Sequence, residues 1–154
     1  MILRAGNAVH ARMEATEIDI TSSEPTRQVL LVVLTDALLI AESRLDAEGW
    51  QLLDLIPLKY LCYYGKKRKR EYSSFFVLCM FLVRQHEFYL EAIQDHRNVN
   101  GSLSDYWLDQ HLRLFSTTES KDVHFFERVF LDKQAKSRID GTSTSHVTVM
   151  NACA

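Results

Sequence analysis

Residues 29–42 read VLLVVLTDALLIAE, apolar except for Thr35-Asp36 and the closing glutamate. No other segment constrains the fold as much, because a run like this must leave water. It can do so as a membrane span, a buried helix or a pair of strands. A transmembrane helix needs about 20 apolar residues, and this run is shorter and carries an aspartate near its centre, which excludes the span. Leu and Ala suit a buried helix, which stays as the alternative. Val29, Val32 and Val33 favour extended backbone, and the run divides into two pieces of strand length about Thr35-Asp36. The pattern predicts strand, turn, strand, although Thr-Asp is a poorer hairpin turn than Asn-Gly.

Other segments follow the same habit. Residues 8–15 (AVHARMEA) alternate, with Val9, Ala11 and Met13 against His10, Arg12 and Glu14, as a half-buried strand does. Ser22-Ser23-Glu24-Pro25 then breaks regular structure. WQLLDLI (50–56) and LKYLCYY (58–64) flank Pro57, which withholds a ladder donor and marks an edge or bend. FFVLCMFLV (75–83) is strongly apolar, and EFYLEAI (87–93) alternates weakly. Six or seven short strands in succession favour an antiparallel barrel or sandwich.

After the turn signal Asn98-Val99-Asn100-Gly101 the period changes. In SLSDYWLDQHLRLF (102–115), Leu103, Trp107 and Leu114 make one apolar line and Leu108, Leu112 and Phe115 a second. The spacing predicts an amphipathic helix, with Ser102 as N-cap and Asp105 adding charge to the first turn. Helical spacing places Trp107 in the core. DVHFFERVF repeats Phe125/Val129 and Phe126/Phe130 at helical spacing and predicts a further helical turn or two. These readings divide the chain into a domain over residues 1–118, a short helical extension over 119–136 and a flexible tail over 137–154.

Strands closed by one tryptophan-bearing helix resemble a pleckstrin homology domain. VLLVVLTDALLIAE, IPLKYL, FYLEAI and DYWLDQHL are similar to the versions in Rho-family guanine-nucleotide exchange factors and in a Ral-binding exocyst subunit. In those, a small polar residue and an aspartate precede a Leu-Leu pair, as Thr35-Asp36 precede Leu38-Leu39 here. The resemblance covers residues 6–116 and places Trp107 where the family's helix tryptophan would fall. It implies a mainly β fold, a seven-stranded antiparallel barrel or sandwich capped by one C-terminal α-helix. Family members that bind polyphosphoinositides tightly carry Lys and Arg in the loop after the first strand. Here that region is TEIDITSSEPTR, in which Glu17, Asp19 and Glu24 face only Arg27, and an acidic loop repels phosphate.

The positive charge has gone elsewhere, to Lys66, Lys67, Arg68, Lys69 and Arg70, preceded by Tyr63-Tyr64-Gly65. Five adjacent cations repel one another, so the run is solvated or faces an anion. It can be a solvated loop that keeps strand edges apart, a contact for anionic phospholipid headgroups, or a contact for an acidic protein. Nuclear targeting is the least expected reading, and nucleic acid is not the expected partner.

The sequence carries no catalytic constellation. His86-Glu87 begins like a zinc-protease helix, but Leu90 stands where the second histidine is needed. Cys62, Cys79 and Cys153 lack CxxC spacing, and an odd count suits a reducing, intracellular setting; Cys79 reads as core. The five glycines form no phosphate-cradling loop, so neither metal nor cofactor is expected. The length of 154 residues, with 47% hydrophobic and 25% charged residues, fits one folded domain. The expected function is therefore non-catalytic: membrane recruitment or scaffolding through weak electrostatic phospholipid contact plus a protein partner, in the cytoplasm and peripheral at a membrane. The alternative is a protein-only module that binds a Rho- or Ral-type small GTPase or a neighbouring domain of its parent protein.

Overall fold

The computed structural model describes residues 7–46, 48–65, 86–93 and 104–140. The run at 29–42 is indeed two strands. β1 (Ala11–Ile18), β2 (Pro25–Val33), β3 (Ala37–Ser43) and β4 (Trp50–Pro57) form an antiparallel meander. Between β2 and β3 the Leu34 N–H donates to the Ala37 carbonyl at 2.8 Å, closing the turn over Thr35-Asp36. The unbroken apolar character has a simple cause: both faces of these strands are covered. Val29, Leu31 and Val33 join Leu38 and Ile40 in the main core, while the alternate Leu30, Val32 and Leu34 join Ala41 in a second cluster on the opposite face.

Pro57 ends β4 as expected, but the next three residues differ from expectation. Leu58–Tyr60 form one 3-10 turn, and the strand β5 starts only at Leu61 (Leu61–Gly65). The turn is pinned by the Leu58 N–H donating to the Asp36 carbonyl at 3.0 Å. β6 (Glu87–Ala92) lies beside it. The apolar segment 75–83 and the cations 66–70 lie outside the described residues.

The expected helix over 102–115 is not the closing helix. Only Asp105–Leu108 wind, as the single turn α1, preceded by Ser104; Ser102 lies outside the described residues. The chain then extends as β7 (Leu112–Ser116), inserted between β1 and β6. Two ladders outweigh the weak helical preference of LRLF. The closing helix is α2 (Ser120–Asp140), longer than the turn or two its spacing suggests. It sends Val123, Phe126 and Phe130 into the core. There Phe88 lies between neighbours, with ring centroids 5.2 Å from Tyr63, 5.6 Å from Phe115 and 5.3 Å from Phe126. Such aromatic pairs each contribute about 0.5–1.5 kcal/mol beyond simple burial. Buried Gln134 locks the helix in place, its Nε2 donating to the Leu58 and Leu61 carbonyls at 2.7 and 2.6 Å.

Seven strands thus form one sheet in the order β4-β3-β2-β1-β7-β6-β5. Among the described residues β4 and β5 do not pair, so the sheet is open rather than a closed barrel. Cys62 is disulfide-bonded; Cys79 and Cys153 lie outside the described residues. No helix among the described residues is long and apolar enough to cross a membrane.

Candidate functional site

β1 runs into β2, and β3 into β4, at the same end of the sheet, and α1 lies against that end. The inward positions of β1 are Ala11, Met13, Ala15 and then Glu17, a carboxylate in an apolar series. Glu17 is 4% exposed, as is Arg113, which takes an inward position on β7. The Arg113 Nη1 donates to Glu17 Oε2 at 2.7 Å, and its Nη2 donates to the Tyr106 carbonyl and to Asp109 Oδ1. The Tyr106 hydroxyl donates to Glu17 Oε1. The guanidinium also lies 3.9 Å from the Tyr106 ring centroid, so it is held by charge, hydrogen bonds and an aromatic face together. Burial, reinforced by the adjacent Glu17 carboxylate, pushes the Tyr106 phenol well above its ordinary pKa, and it acts as a neutral donor.

A second set of contacts fixes the other side of α1. Asp54 Oδ2 accepts from Trp107 Nε1 at 2.8 Å and from Ser104 Oγ at 2.9 Å. Trp107 is fully buried, as its spacing predicts, although it arrives there from one turn rather than from a long helix.

The surrounding loops are acidic and already satisfied. Asp19 Oδ1 accepts the N–H groups of Thr21 and Ser22 at 2.8 and 2.9 Å. The Ser22 N–H, helped by that of Thr21, holds the Asp19 carboxyl below its usual range. Arg27 lies 4.0 Å from Glu17 and 3.6 Å from Glu42, and Arg44 lies 3.9 Å from Asp46. An anion site needs free cations or free N–H groups. Here the arginines of this end face carboxylates, and two N–H groups of the β1–β2 loop are taken by the loop's own aspartate. Among the described residues no three His, Cys, Asp or Glu side chains converge as a metal site.

The sequence-predicted contact residues Lys66, Lys67, Arg68, Lys69 and Arg70 lie outside the described residues; they follow directly on Gly65, the last residue of β5. The Glu17–Arg113 pair was not foreseen. Its signal is present all the same, since Glu17 continues the inward phase of β1 and Arg113 alternates with Leu112 and Leu114.

No protein-family model matches the chain, and no curated protein matches it. Among solved structures, the linker-DH/PH domains of p115-RhoGEF match with a TM-score of 0.53 at 9% identity, over 86% of this chain and 30% of that one. A Slm1 PH domain described as binding ligand in a non-canonical site matches with a TM-score of 0.46 at 9% identity, over 80% of this chain and 96% of that one. The Slm1 PH domain in complex with D-myo-inositol-4-phosphate matches with a TM-score of 0.44 at 9% identity, over 80% and 93%. At such identity the likeness is one of fold. Seven antiparallel strands with a C-terminal helix form a pleckstrin-homology-like domain.

Proposed function

We propose that this chain is a non-catalytic binding module that acts mainly through a protein partner. Membrane contact is then limited to weak, charge-dominated attraction of residues 66–70 to anionic phospholipid, with no specific headgroup grip at the β1–β2 end. One observation carries this reading: the arginines of that end, Arg27, Arg44 and Arg113, are each placed against carboxylates. A phosphorylated headgroup entering there would have to break the buried Arg113–Glu17 pair, at a cost of about 3–5 kcal/mol. Residues 66–70 are five adjacent cations in the sequence, opposite in charge to such a surface. Each contributes about 1 kcal/mol near an anionic surface, screened over about 8 Å at physiological salt.

The test is co-sedimentation with phosphatidylserine vesicles, with and without a phosphatidylinositol bisphosphate, at low and physiological salt. Binding is expected to collapse with salt and to follow total vesicle charge. Replacing Lys66, Lys67, Arg68, Lys69 and Arg70 by Ser or Gln is expected to abolish it. Salt-tolerant binding selective for the phosphoinositide would refute the reading.

The second reading is a protein-only module. It is favoured by the outward face of β2, β3 and β4, where Leu39, Trp50 and Leu55 are half-buried and Leu52 is 44% exposed. Salt-tolerant pull-down of a nucleotide-loaded Rho- or Ral-type GTPase, with no vesicle binding at low salt, would select it.

A further inference from the structure

α2 runs along β5 in the opposite direction, and three contacts mark the register. Gln134 bonds the carbonyls of Leu58 and Leu61 at the start of the strand, the Phe130 ring packs on Tyr63 with centroids 5.5 Å apart, and Glu127 reaches Gly65 at its end. The last contact depends on glycine. A Cβ at residue 65 would stand 2.7 Å from Glu127 Oε1 and 2.8 Å from the Tyr63 ring, so the missing side chain makes the room that the carboxylate and the ring share.

A carboxylate is thereby held over the backbone where β5 ends and the five cations begin, since Lys66 follows Gly65 directly. Adding one Cα–Cβ bond and one Cα–Cα step to the contact puts Glu127 Oε1 within about 8 Å of the Lys66 Cα, along whichever path the chain takes. An extended lysine side chain covers most of that distance, and about 8 Å is also the screening length at physiological salt. On its own helix Glu127 has no lysine or arginine at pairing positions: the residues one turn away are Val123, His124, Phe130 and Leu131. It is nonetheless engaged rather than free. Counted along the chain from Gly65, the closest cations are Lys66 and Lys67.

We propose that Glu127 is an internal counter-charge for the basic run: it holds Lys66 and Lys67 toward α2 and offsets part of the attraction of residues 66–70 for anionic phospholipid. The proposal rests on the reading of those residues as a charge-dominated membrane contact and names what limits its strength. The competition is direct, because a carboxylate and a lipid phosphate accept from the same ammonium group. An ammonium that faces Glu127 is worth less to a surface than one that faces only water. Neutralising the carboxylate therefore strengthens the contact without adding a single cation.

The test uses the full chain and phosphatidylserine vesicles in low salt, read by co-sedimentation. Glu127→Gln is expected to raise the affinity about fivefold, the worth of one basic residue near an anionic surface. Glu48→Gln removes the same charge from an exposed position of the β3–β4 connection and should change the affinity by less than about twofold. In a chain that also carries Lys66→Gln and Lys67→Gln, where Arg68, Lys69 and Arg70 still report binding, Glu127→Gln should have no effect. The proposal is overturned if Glu127→Gln does no more than Glu48→Gln, or if its effect survives the loss of Lys66 and Lys67. Vesicle binding that ignores Glu127 removes the counter-charge alone and leaves the membrane reading standing, whereas no binding by any of these proteins removes both.

Discussion

Arg113 on β7 and Glu17 on β1 meet at 2.7 Å with side chains 5% and 6% exposed. Two strands distant in sequence are thereby joined by a desolvated ion pair at the end of the sheet where the loops gather. The pair ties down α1 through Tyr106 and takes out of use the most buried cation of that end.

Removing one partner should therefore be costly. Arg113→Met leaves Glu17 buried with its main counter-charge gone and is expected to cost about 3–5 kcal/mol in urea denaturation. Glu17→Leu combined with Arg113→Met should cost much less than the two single changes added together, because no uncompensated charge remains. Strict additivity would show that the pair is not coupled.

Trp107 combines volume with a hydrogen bond to Asp54. Trp107→Ala is expected to cost about 3–5 kcal/mol through the cavity it leaves. Trp107→Phe keeps most of the volume and loses the indole donor, so its cost should be nearer 1.5–3 kcal/mol, roughly that of one hydrogen bond to a charged group. A Trp107→Ala protein that melts like the wild type would contradict the buried placement.

Gln134 is the polar lock of α2, with its contacts made to the backbone carbonyls of Leu58 in the 3-10 turn and Leu61 at the start of β5. Gln134→Leu matches the volume and leaves two buried carbonyls without this donor. A loss of about 1–3 kcal/mol is expected. Hydrogen exchange should rise first in the C-terminal half of α2.

Asp19 sets an acid limit on the β1–β2 loop. Its carboxyl is held below the ordinary range by the Ser22 and Thr21 N–H groups, so its contribution is fully present above the unfolded-state pKa and is lost as pH falls through the lower folded value. Between about pH 2 and 5 the melting temperature of Asp19→Asn should fall less steeply with acid than that of the wild type. Parallel curves would exclude this role.

Much of the fold can be read from residue order alone. Alternation over 11–18 and the two-faced apolar run at 29–42 dictate strands, because each arrangement hides its apolar side chains only on extended backbone. The acidic composition of the β1–β2 loop was legible too. The segment 102–115 was not. LRLF satisfies a helical stripe and a strand alternation equally well, since short apolar runs carry both periods. As a strand it buries Arg113 and Phe115 inward and packs Leu112 and Leu114 with Cys62, Tyr64 and Tyr89 on the outer face.

Local pattern by itself determined that the chain would build a mainly β domain with Trp107 inside and an acidic β1–β2 loop. Tertiary structure alone decided that Leu112–Ser116 would be the seventh strand, that Ser120–Asp140 would be the closing helix, and that Glu17 would meet Arg113. The physical reason is the range of the forces. Alternation and turn chemistry act over a few neighbouring residues, whereas the β1–β7 ladder and the buried ion pair join positions nearly a hundred residues apart and exist only once the sheet has assembled.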